Sequence, residues 1–428
     1  MNKTEYKQIV AGWADFTVPS TLPRQIEVRL DNDFIQAITG PRRAGKTFLC
    51  FQVMEHLRTQ GVPENNILYL NFEDNRLIGA GASDLDGLYS AFLELRAPVD
   101  TSLTYLFLDE IQAVRDWDSW IRKMHDREKG VRLLVTGSSS KMLSREIATK
   151  LRGRVLSTEV LPLSFSEYCV WNGFSQEKGS PLYGRTLLAI QQQHAKYLVQ
   201  GGFPALASQN VPAEQVLRSY FESMMFQDIA ERNEIRDLKR LRVLAGLLFS
   251  SVGKEVSYTR IANRMRSMGF TLSKNTVIEH MSQFEDAYLF FQVLKHEYSL
   301  ARQVGAIKKL YCVDNGLLDA VSPRFSGDAG RLLENEVFLE LRRRGADMAY
   351  GRNGNECDFL LREKGRVTGA LQVTQELTEQ NEAREFAGLQ EAMDKHNLAT
   401  GTIITLEQEQ RKDRITIVPV CKWLLEAS

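Results

Sequence analysis

A glycine-rich segment near the N-terminus has the residue types and spacing of a phosphate-binding loop. Residues 40–47 read GPRRAGKT, which satisfies the pattern GxxxxGK[ST]. The backbone N–H groups of such a loop point at phosphate oxygens, and the helix that follows adds the positive end of its dipole. We expect Lys46 to reach the β- and γ-phosphates and the Thr47 hydroxyl to be a ligand of Mg²⁺. The segment therefore predicts binding of ATP and ADP with magnesium. The residues expected at the nucleotide are Gly40, Arg43, Ala44, Gly45, Lys46, Thr47, Phe48 and Ser138.

Two adjacent carboxylates follow a later apolar segment. Residues 105–110 read YLFLDE, a strand-like run that ends in Asp109 and Glu110. Such a pair on its own often caps a helix. Downstream of a phosphate-binding loop it favours a second reading, in which Asp109 holds the magnesium and Glu110 is the catalytic residue that polarises the attacking water.

Two further groups could complete a hydrolytic site. The segment TGSSS places Thr136, Ser138 and Ser139 at the end of another apolar run, where a small hydroxyl can sense the γ-phosphate, and a plain turn is the alternative. Arg152 and Arg154, in KLRGR, could supply an arginine finger in cis or from a neighbouring subunit. A solvated basic stretch is the other interpretation of these arginines. Arg154 is the candidate that we retain.

The elements that must position these residues alternate between short apolar runs and helix-like segments. Strands that alternate with helices predict an α/β fold with a parallel sheet covered on both faces. The carboxyl ends of parallel strands meet at one edge of the sheet, where ligands bind. The predicted strands are DNDFIQAITG, NILYLNF, LTYLFLDE and VRLLVTG.

Composition limits the class of protein. With 428 residues, 43% hydrophobic and 25% charged, the chain is long enough for several folded domains, and it is neither disordered nor collagen-like. Its 54 basic and 54 acidic residues leave no net charge, so any surface for nucleic acid requires local segregation of charge. The five cysteines form no CxxC pair, and no apolar run is long enough for a membrane span. We expect a cytoplasmic protein that does not bind membranes.

Several motifs together resemble a prokaryotic family of AAA-type P-loop ATPases related to the archaeal and STAND-like groups. The similarity runs from GPRRAGKT, LYLNFEDNRL and LFLDEIQAVRDWDSW through VTGSSSKMLSREIATKLRGR, LPLSFSEY and QGGFPALA to KKLYCVDNGLL and GRLLENEVFLELRRRG. It covers nearly the whole chain. The resemblance implies an AAA-type core, a helical lid, a winged helix and a nuclease-like C-terminal domain.

The middle of the chain has the order of elements of a winged helix-turn-helix. The segment VSYTRIANRMRSMGFTLSKNTVIEHMSQFEDAYLFFQV predicts two short helices followed by an apolar run, with Ser273 capping the second helix. Residues 231–310 carry 14 Lys and Arg against 8 Asp and Glu, which favours contact with DNA. The alternative is a structural coupler between the nucleotide site and the C-terminal domain. The exposed face of the second helix is predicted to include Lys274, Asn275, Thr276, Glu279 and His280, and the buried face Val277, Ile278 and Met281.

The C-terminal part resembles the core of restriction-endonuclease-like folds in its order of elements. A helix carries Glu334, a strand carries Asp358, and the next strand carries Gln372, Val373 and Thr374. Enzymes of that fold hold magnesium with the helix Glu, the Asp and an E-x-K strand. Because the last motif lacks its carboxylate and its lysine, we expect no cleavage of nucleic acid and a binding or scaffolding role instead.

The chain is thus predicted to be an ATP-binding and ATP-hydrolysing AAA-type protein, a motor or regulator associated with DNA. The alternative function is a switch whose ATP state controls assembly and whose C-terminal domain recruits a protein partner. A homo-oligomer is compatible with both. The predicted domains are an ATPase core (1–165), a helical lid (166–230), a winged helix (231–325) and a degenerate nuclease-like domain (326–428).

Overall fold

The chain divides into two compact units, Met1–Val160 and Leu161–Ser428. The structure is a computed structural model. Ser139 and Arg152 of the sequence predictions lie outside the residues that it describes. The described residues are 1–99, 102–138, 153–174, 183–208, 211–297, 307–322, 329–352 and 354–426.

A parallel sheet in the order β2-β3-β4-β1-β5 forms the centre of the first unit. All of its neighbouring strands pair in parallel, and β1 and β3 are buried along their whole length because helices cover both faces. The parallel α/β core predicted from the alternation of strands and helices is confirmed. The strands are β1 (Ile35–Thr39), β2 (Ile67–Asn71), β3 (Thr104–Asp109), β4 (Val131–Gly137) and β5 (Val155–Glu159).

An N-terminal helix that the sequence analysis did not predict protects one edge of this sheet. It begins with a capping box between Asn2 and Glu5, and it buries Ile9 and Val10 against β2 and a neighbouring helix. Since β2 is the edge strand, this cover removes a surface that could pair with other chains. The helices of this unit are α1 (Lys3–Ala14), α2 (Lys46–Thr59), α3 (Ala82–Arg96) and α4 (Trp117–Arg127).

The second unit begins with helices and continues into a small antiparallel sheet in the order β6-β8-β7. A π-helical stretch, Met224–Glu231, follows the fourth of these helices. The helices are α5 (Phe165–Trp171), α6 (Gly184–Gln200), α7 (Pro204–Ser208), α8 (Ala213–Ser223), α9 (Leu238–Phe249), α10 (Tyr258–Ser267), α11 (Lys274–Asp286) and α12 (Asn315–Val321). The strands are β6 (Glu255–Val256), β7 (Phe290–Leu294) and β8 (Lys308–Cys312).

Helix α11 is the second helix of the predicted winged helix-turn-helix. As predicted, Ser273 caps it: the Ser273 hydroxyl accepts a hydrogen bond from the N–H of Thr276 at 3.0 Å. Its exposed face differs at two positions. His280 is buried, and Ile278 is 40% exposed. The reason is the helical period, because residues 277, 281 and 284 define the buried stripe and position 280 lies on it while position 278 does not.

The C-terminal part of the second unit is a six-stranded mixed sheet in the order β13-β14-β12-β11-β10-β9. Strands β9, β10 and β11 form an antiparallel meander, and a helix then crosses over so that β12 pairs in parallel with β11. The strands are β9 (Asp347–Arg352), β10 (Glu356–Glu363), β11 (Arg366–Val373), β12 (Gly401–Thr405), β13 (Gln410–Lys412) and β14 (Ile415–Pro419). The helices are α13 (Ala329–Arg343), α14 (Glu382–His396) and α15 (Val420–Glu426).

One hydrophobic core runs through most of the second unit, from Leu161 to Leu424. It includes side chains of the early helices, of the three-stranded sheet and of α13, so these parts pack as one body. A smaller cluster lies between α14 and the six-stranded sheet.

The division of residues 166–428 into lid, winged helix and nuclease-like domain stays a prediction. Among the helices in the described ranges, none has the length and apolar character needed to cross a membrane.

Candidate nucleotide site

The glycine-rich segment forms a tight loop between the end of β1 and the start of α2. Gly40 and Gly45 adopt φ angles of 151° and 97°, and Arg43 has a φ of 66°, so the loop depends on backbone conformations that favour glycine. Helix α2 begins at Lys46. Gly45 precedes the helix and has no side chain to cap its first N–H groups, which remain available to a phosphate.

The first glycine of the loop is also fixed by packing against the residue that follows β5. A Cβ added at Gly40 would lie 2.1 Å from the carbonyl oxygen of Val160. We therefore expect Gly40→Ala to displace the loop and to weaken ATP binding by about tenfold, since loop strain of this kind costs on the order of 1 to 3 kcal/mol. Titration with a fluorescent ATP analogue measures the effect. Gly130→Ala is the matched control, because a Cβ at Gly130 meets nothing within 4 Å. Equal affinity in the two variants would contradict this prediction.

Lys46 lies over the loop as a buried ammonium. Its Nζ donates hydrogen bonds to the carbonyl oxygens of Gly40 and Pro41, both at 3.2 Å, and lies 3.4 Å from a carboxylate oxygen of Glu110. The side chain is only 5% exposed. A positive charge is therefore held between the loop and the second acid, at the place where a phosphate chain would need a counter-charge.

Asp109 is the centre of a hydrogen-bonded network at the end of β3. Its Oδ2 accepts hydrogen bonds from the hydroxyls of Thr47 and Tyr69, each at 2.7 Å, and its Oδ1 accepts one from the Thr136 hydroxyl. The backbone N–H of Glu110 donates to Thr136 Oγ1 at 2.9 Å. Strands β1, β3 and β4 are neighbours in the sheet, and this order brings the loop, the acidic pair and Thr136 together.

The two acids differ in how their surroundings affect their ionisation. Burial, together with the neighbouring Glu110 charge, raises the pKa of Asp109. Burial acts in the same direction on Glu110, but the Lys46 ammonium and a hydrogen bond from Gln112 outweigh it and lower the pKa of Glu110. Glu110 is thus kept as a carboxylate at neutral pH. Its backbone is in the left-handed region, with a φ of 53°, as occurs at residues under functional constraint.

The donor set at Asp109 fits a hard cation. The Thr47 hydroxyl and the Asp109 carboxylate are already in contact, and each supplies the oxygen that Mg²⁺ prefers in proteins. Magnesium is usually held by one or two such groups together with water and phosphate oxygens. The residues present are therefore those that a magnesium–nucleotide complex requires.

Two residues that support the site were missed by the sequence analysis. Tyr69, on β2, donates to Asp109, and burial beside that carboxylate raises the pKa of its phenol. Arg24 is buried and donates to the carbonyl oxygen of Ala44 at 2.7 Å, while its own backbone pairs with the Gln52 side chain at 2.8 and 3.1 Å. The N-terminal segment thereby holds the loop against α2. From the sequence, Tyr69 is expected to be an ordinary core residue of an apolar strand. The residues around Arg24 give no sign of its contact with Ala44.

The remaining predicted site residues are divided between the two ends of the sheet. Arg43 is exposed on the loop, and Phe48 is exposed on the first turn of α2. Ser138 is buried directly after β4, two residues after Thr136. Arg154 is different. It precedes β5, which pairs in parallel with β1 from Ile35 onward, and its guanidinium pairs with Asp126 at 2.9 Å. The loop follows the opposite end of β1, so Arg154 does not belong to the nucleotide site of its own chain. The hypothesis that Arg154 acts as an arginine finger in cis is therefore wrong.

The parallel sheet, the loop after β1 and the acidic pair after β3 define a P-loop ATPase fold of the AAA type. Residues 32–169 match the family model described as AAA domain, in agreement with this geometry. Residues 191–328 match a second model, which is described as a domain of unknown function.

The chain belongs to the same family as an uncharacterised protein of Methanocaldococcus jannaschii, MJ1544, with 35% identity over 425 residues that cover 94% of this chain and 90% of the relative. An uncharacterised protein of Haemophilus influenzae is 30% identical over 401 residues, covering 92% and 95% of the two chains. A solved structure, the Walker-type ATPase of Pyrococcus abyssi, is similar at 11% identity with a TM-score of 0.42, over 75% of this chain and 95% of that one.

Proposed function

We propose that the protein binds ATP with Mg²⁺ at residues 40–47 and hydrolyses it. The observation that carries this proposal is a connected network: the hydroxyls of Thr47 and Thr136 donate to Asp109, and the backbone N–H of Glu110 donates to Thr136. A structural hydrogen bond alone would explain one of these contacts. Their convergence beside a glycine loop and a buried lysine supports a site for phosphoryl transfer.

Each side chain has a separate role in this mechanism. The Lys46 ammonium neutralises charge on the β- and γ-phosphates, and the loop N–H groups orient them. Thr47 and Asp109 would hold Mg²⁺, which supplies further neutralisation of the charge that develops on the phosphates. Glu110 accepts a hydrogen bond from the attacking water and orients it in line with the phosphorus atom. Arg154 would contribute only from a neighbouring subunit.

We further propose that the protein acts on DNA as an ATP-driven motor or regulator. The order α9, β6, α10, α11, β7, β8 is that of a winged helix, and the strand pairs β6–β8 and β7–β8 are antiparallel as such a fold requires. Arg260, Arg264 and Arg266 are exposed on α10, and Lys274 is exposed at the start of α11. Within the described residues none of these four cations has a carboxylate partner, so their charge is available to phosphates.

Charge reversal on this surface tests the proposed DNA contact. Lys274→Glu or Arg266→Glu is expected to weaken binding to duplex DNA for all sequences. Each substitution should also reduce the slope of log affinity against log salt by about one, because it removes one ion pair with a DNA phosphate. Fluorescence anisotropy at several salt concentrations measures both quantities. Lys364→Glu is the matched control, since Lys364 is exposed on a turn of the six-stranded sheet. Wild-type affinity that is absent or insensitive to salt would refute the DNA contact.

A second candidate function is a switch in which ATP controls assembly and the C-terminal part recruits a protein partner. The observation that favours it is the buried contact between His194 on α6 and Glu336 on α13, at 2.9 Å, which ties the early helices to the C-terminal part.

Measurement of ATP turnover with and without duplex and single-stranded DNA separates the two functions. DNA-stimulated turnover supports the motor or regulator. An oligomeric state that differs between ADP and a non-hydrolysable ATP analogue, with no response to DNA, supports the switch.

A further inference from the structure

A single lysine holds three carboxylates where the small sheet meets the C-terminal part of the second unit. The Nζ of Lys309, on β8, lies 2.8 Å from Glu334 on α13, and 2.6 and 2.8 Å from Glu356 and Asp358 on β10. Tyr311 also donates to Glu334, at 2.7 Å. Lys309 is 1% exposed. The ammonium donates hydrogen bonds to Glu334 and Asp358 and forms an ion pair with Glu356.

The cluster includes two acids that the sequence resemblance to nuclease-like folds singles out. Glu334 and Asp358 are the two acids that the resemblance assigns to magnesium. The third position does not fit, because Gln372 Oε1 accepts from the backbone N–H of Asp358 at 3.3 Å and its Nε2 donates to Glu385 at 2.7 Å. The second oxygen of Asp358 accepts from the N–H of Val373 at 2.9 Å. The first oxygen of Asp358 and one oxygen of Glu334 accept from Lys309, each at 2.8 Å.

The neighbouring carboxylates keep the side chain of Lys309 in its charged form. Burial by itself lowers the pKa of a lysine, but Asp358 and Glu334 outweigh it and raise the pKa of Lys309 well above its usual value. Burial and the crowding of like charges raise the pKa of Glu334 to about 7. A buried cation surrounded by several acids is the charge arrangement of a metal centre, with the ammonium in the place of the metal.

We propose that the Lys309 ammonium replaces a divalent cation in this nuclease-like domain. It binds the same carboxylates that a metal would bind, and it ties α13 and β10 to the small sheet through a covalently attached charge. The domain is therefore held together without a metal and does not cleave nucleic acid. The inference is independent of the ATP site.

Removal of the ammonium tests the replacement directly. Lys309→Met keeps the approximate length of the side chain and removes the cation that the three carboxylates share. Glu356 keeps Arg352 at 3.7 Å, whereas the largely buried Glu334 and Asp358 have no other ion pair among the described residues. In EDTA the full-length variant is expected to melt on the order of 10 °C below the wild type, since an uncompensated buried charge is strongly destabilising. Oxygens that lie 2.6 to 2.8 Å from Nζ need only a small shift to coordinate Ca²⁺ at its usual 2.3 to 2.6 Å. Added Ca²⁺ should therefore restore most of the melting temperature, and calorimetric titration should show one more bound Ca²⁺ than in the wild type.

Lys412→Met is the matched control, because Lys412 pairs with Glu382 on a half-exposed surface and such pairs contribute little. It should melt close to the wild type and gain no Ca²⁺. A folded Lys309→Met variant that gains neither Ca²⁺ binding nor calcium-dependent stability would overturn the proposal.

The wild type provides a second test that does not depend on the folding of Lys309→Met. The wild type and Asp358→Asn should bind the same amount of Ca²⁺, and the melting temperature of the wild type should be equal in EDTA and in Ca²⁺. A bound Ca²⁺ in the wild type that Asp358→Asn removes would show that the site takes a metal after all, and it would overturn the proposal.

Discussion

Glu110→Gln is expected to bind ATP with the affinity of the wild type and to hydrolyse it at least about 100-fold more slowly. The amide keeps the size of the side chain and can still lie beside the Lys46 ammonium, which is 3.4 Å from the Glu110 carboxylate. However, it cannot accept a proton or orient water as a carboxylate does. A 100-fold decrease corresponds to roughly 2.7 kcal/mol of activation free energy. Single-turnover hydrolysis with excess protein measures the chemical step apart from nucleotide exchange.

The same substitution at Glu73 is the matched control for Glu110→Gln. Glu73 is exposed and pairs with Arg42 of the loop at 2.9 Å, so it lies beside the loop but has no contact with Lys46. We expect Glu73→Gln to hydrolyse ATP within a few-fold of the wild type. Comparable turnover in Glu110→Gln and the wild type would show that Glu110 does not position the water.

Lys46→Ala is expected to bind ATP far more weakly than the wild type. Its ammonium is buried beside Glu110 and donates to two loop carbonyls. Its removal therefore takes a counter-charge away from the Glu110 carboxylate and also from the phosphates. Loss of one partner of a buried charge pair typically costs about 2 to 5 kcal/mol, which predicts a dissociation constant at least about 30-fold higher. Equilibrium titration with ATP and Mg²⁺ measures it.

Lys123→Ala provides the comparison for Lys46→Ala, because Lys123 pairs with Asp86 on a partly exposed surface of the same unit. Its affinity for ATP should equal that of the wild type. Melting curves of both variants separate a loss of binding from a loss of folding. A folded Lys46→Ala protein with unchanged ATP affinity would place the nucleotide elsewhere.

The sequence predicted which residues lie together where their positions depend on local order along the chain. GPRRAGKT and YLFLDE each contain a strand end and the polar groups that follow it, so alternation of strands and helices was enough to bring Lys46 and Asp109 to one edge of the sheet. The parallel α/β core followed from the same periodicity.

The residues that the sequence did not predict depend on contacts between distant segments. Arg24 reaches the loop from the N-terminal segment, and Tyr69 reaches Asp109 from a neighbouring strand. Lys309 takes its place among Glu334 and Asp358 from a strand outside the predicted nuclease-like domain. No local pattern distinguishes such a lysine from one on a solvent-exposed strand, because only the packing of β8 against α13 and β10 places it among these acids.

The orientation of a helix is a third kind of information that spacing gave only in part. The sequence assigned His280 to the exposed face of α11 and Ile278 to the buried face by their polarity, and the structure reverses both. Phe284 and Val277 fix the buried stripe, and a rotation of about 100° per residue decides which neighbours lie on it. Polarity alone does not outweigh that geometry at single positions.

Release of phosphate from ATP by the purified full-length protein is the measurement that tests the central claim most directly. We expect turnover that requires Mg²⁺, that exceeds the rate of Lys46→Ala prepared in parallel, and that falls to that background in Glu110→Gln. Wild-type protein that is folded and binds ATP, yet releases phosphate no faster than Lys46→Ala in the presence of Mg²⁺, would contradict the assignment of residues 40–47 and Glu110 to an ATP-hydrolysing site.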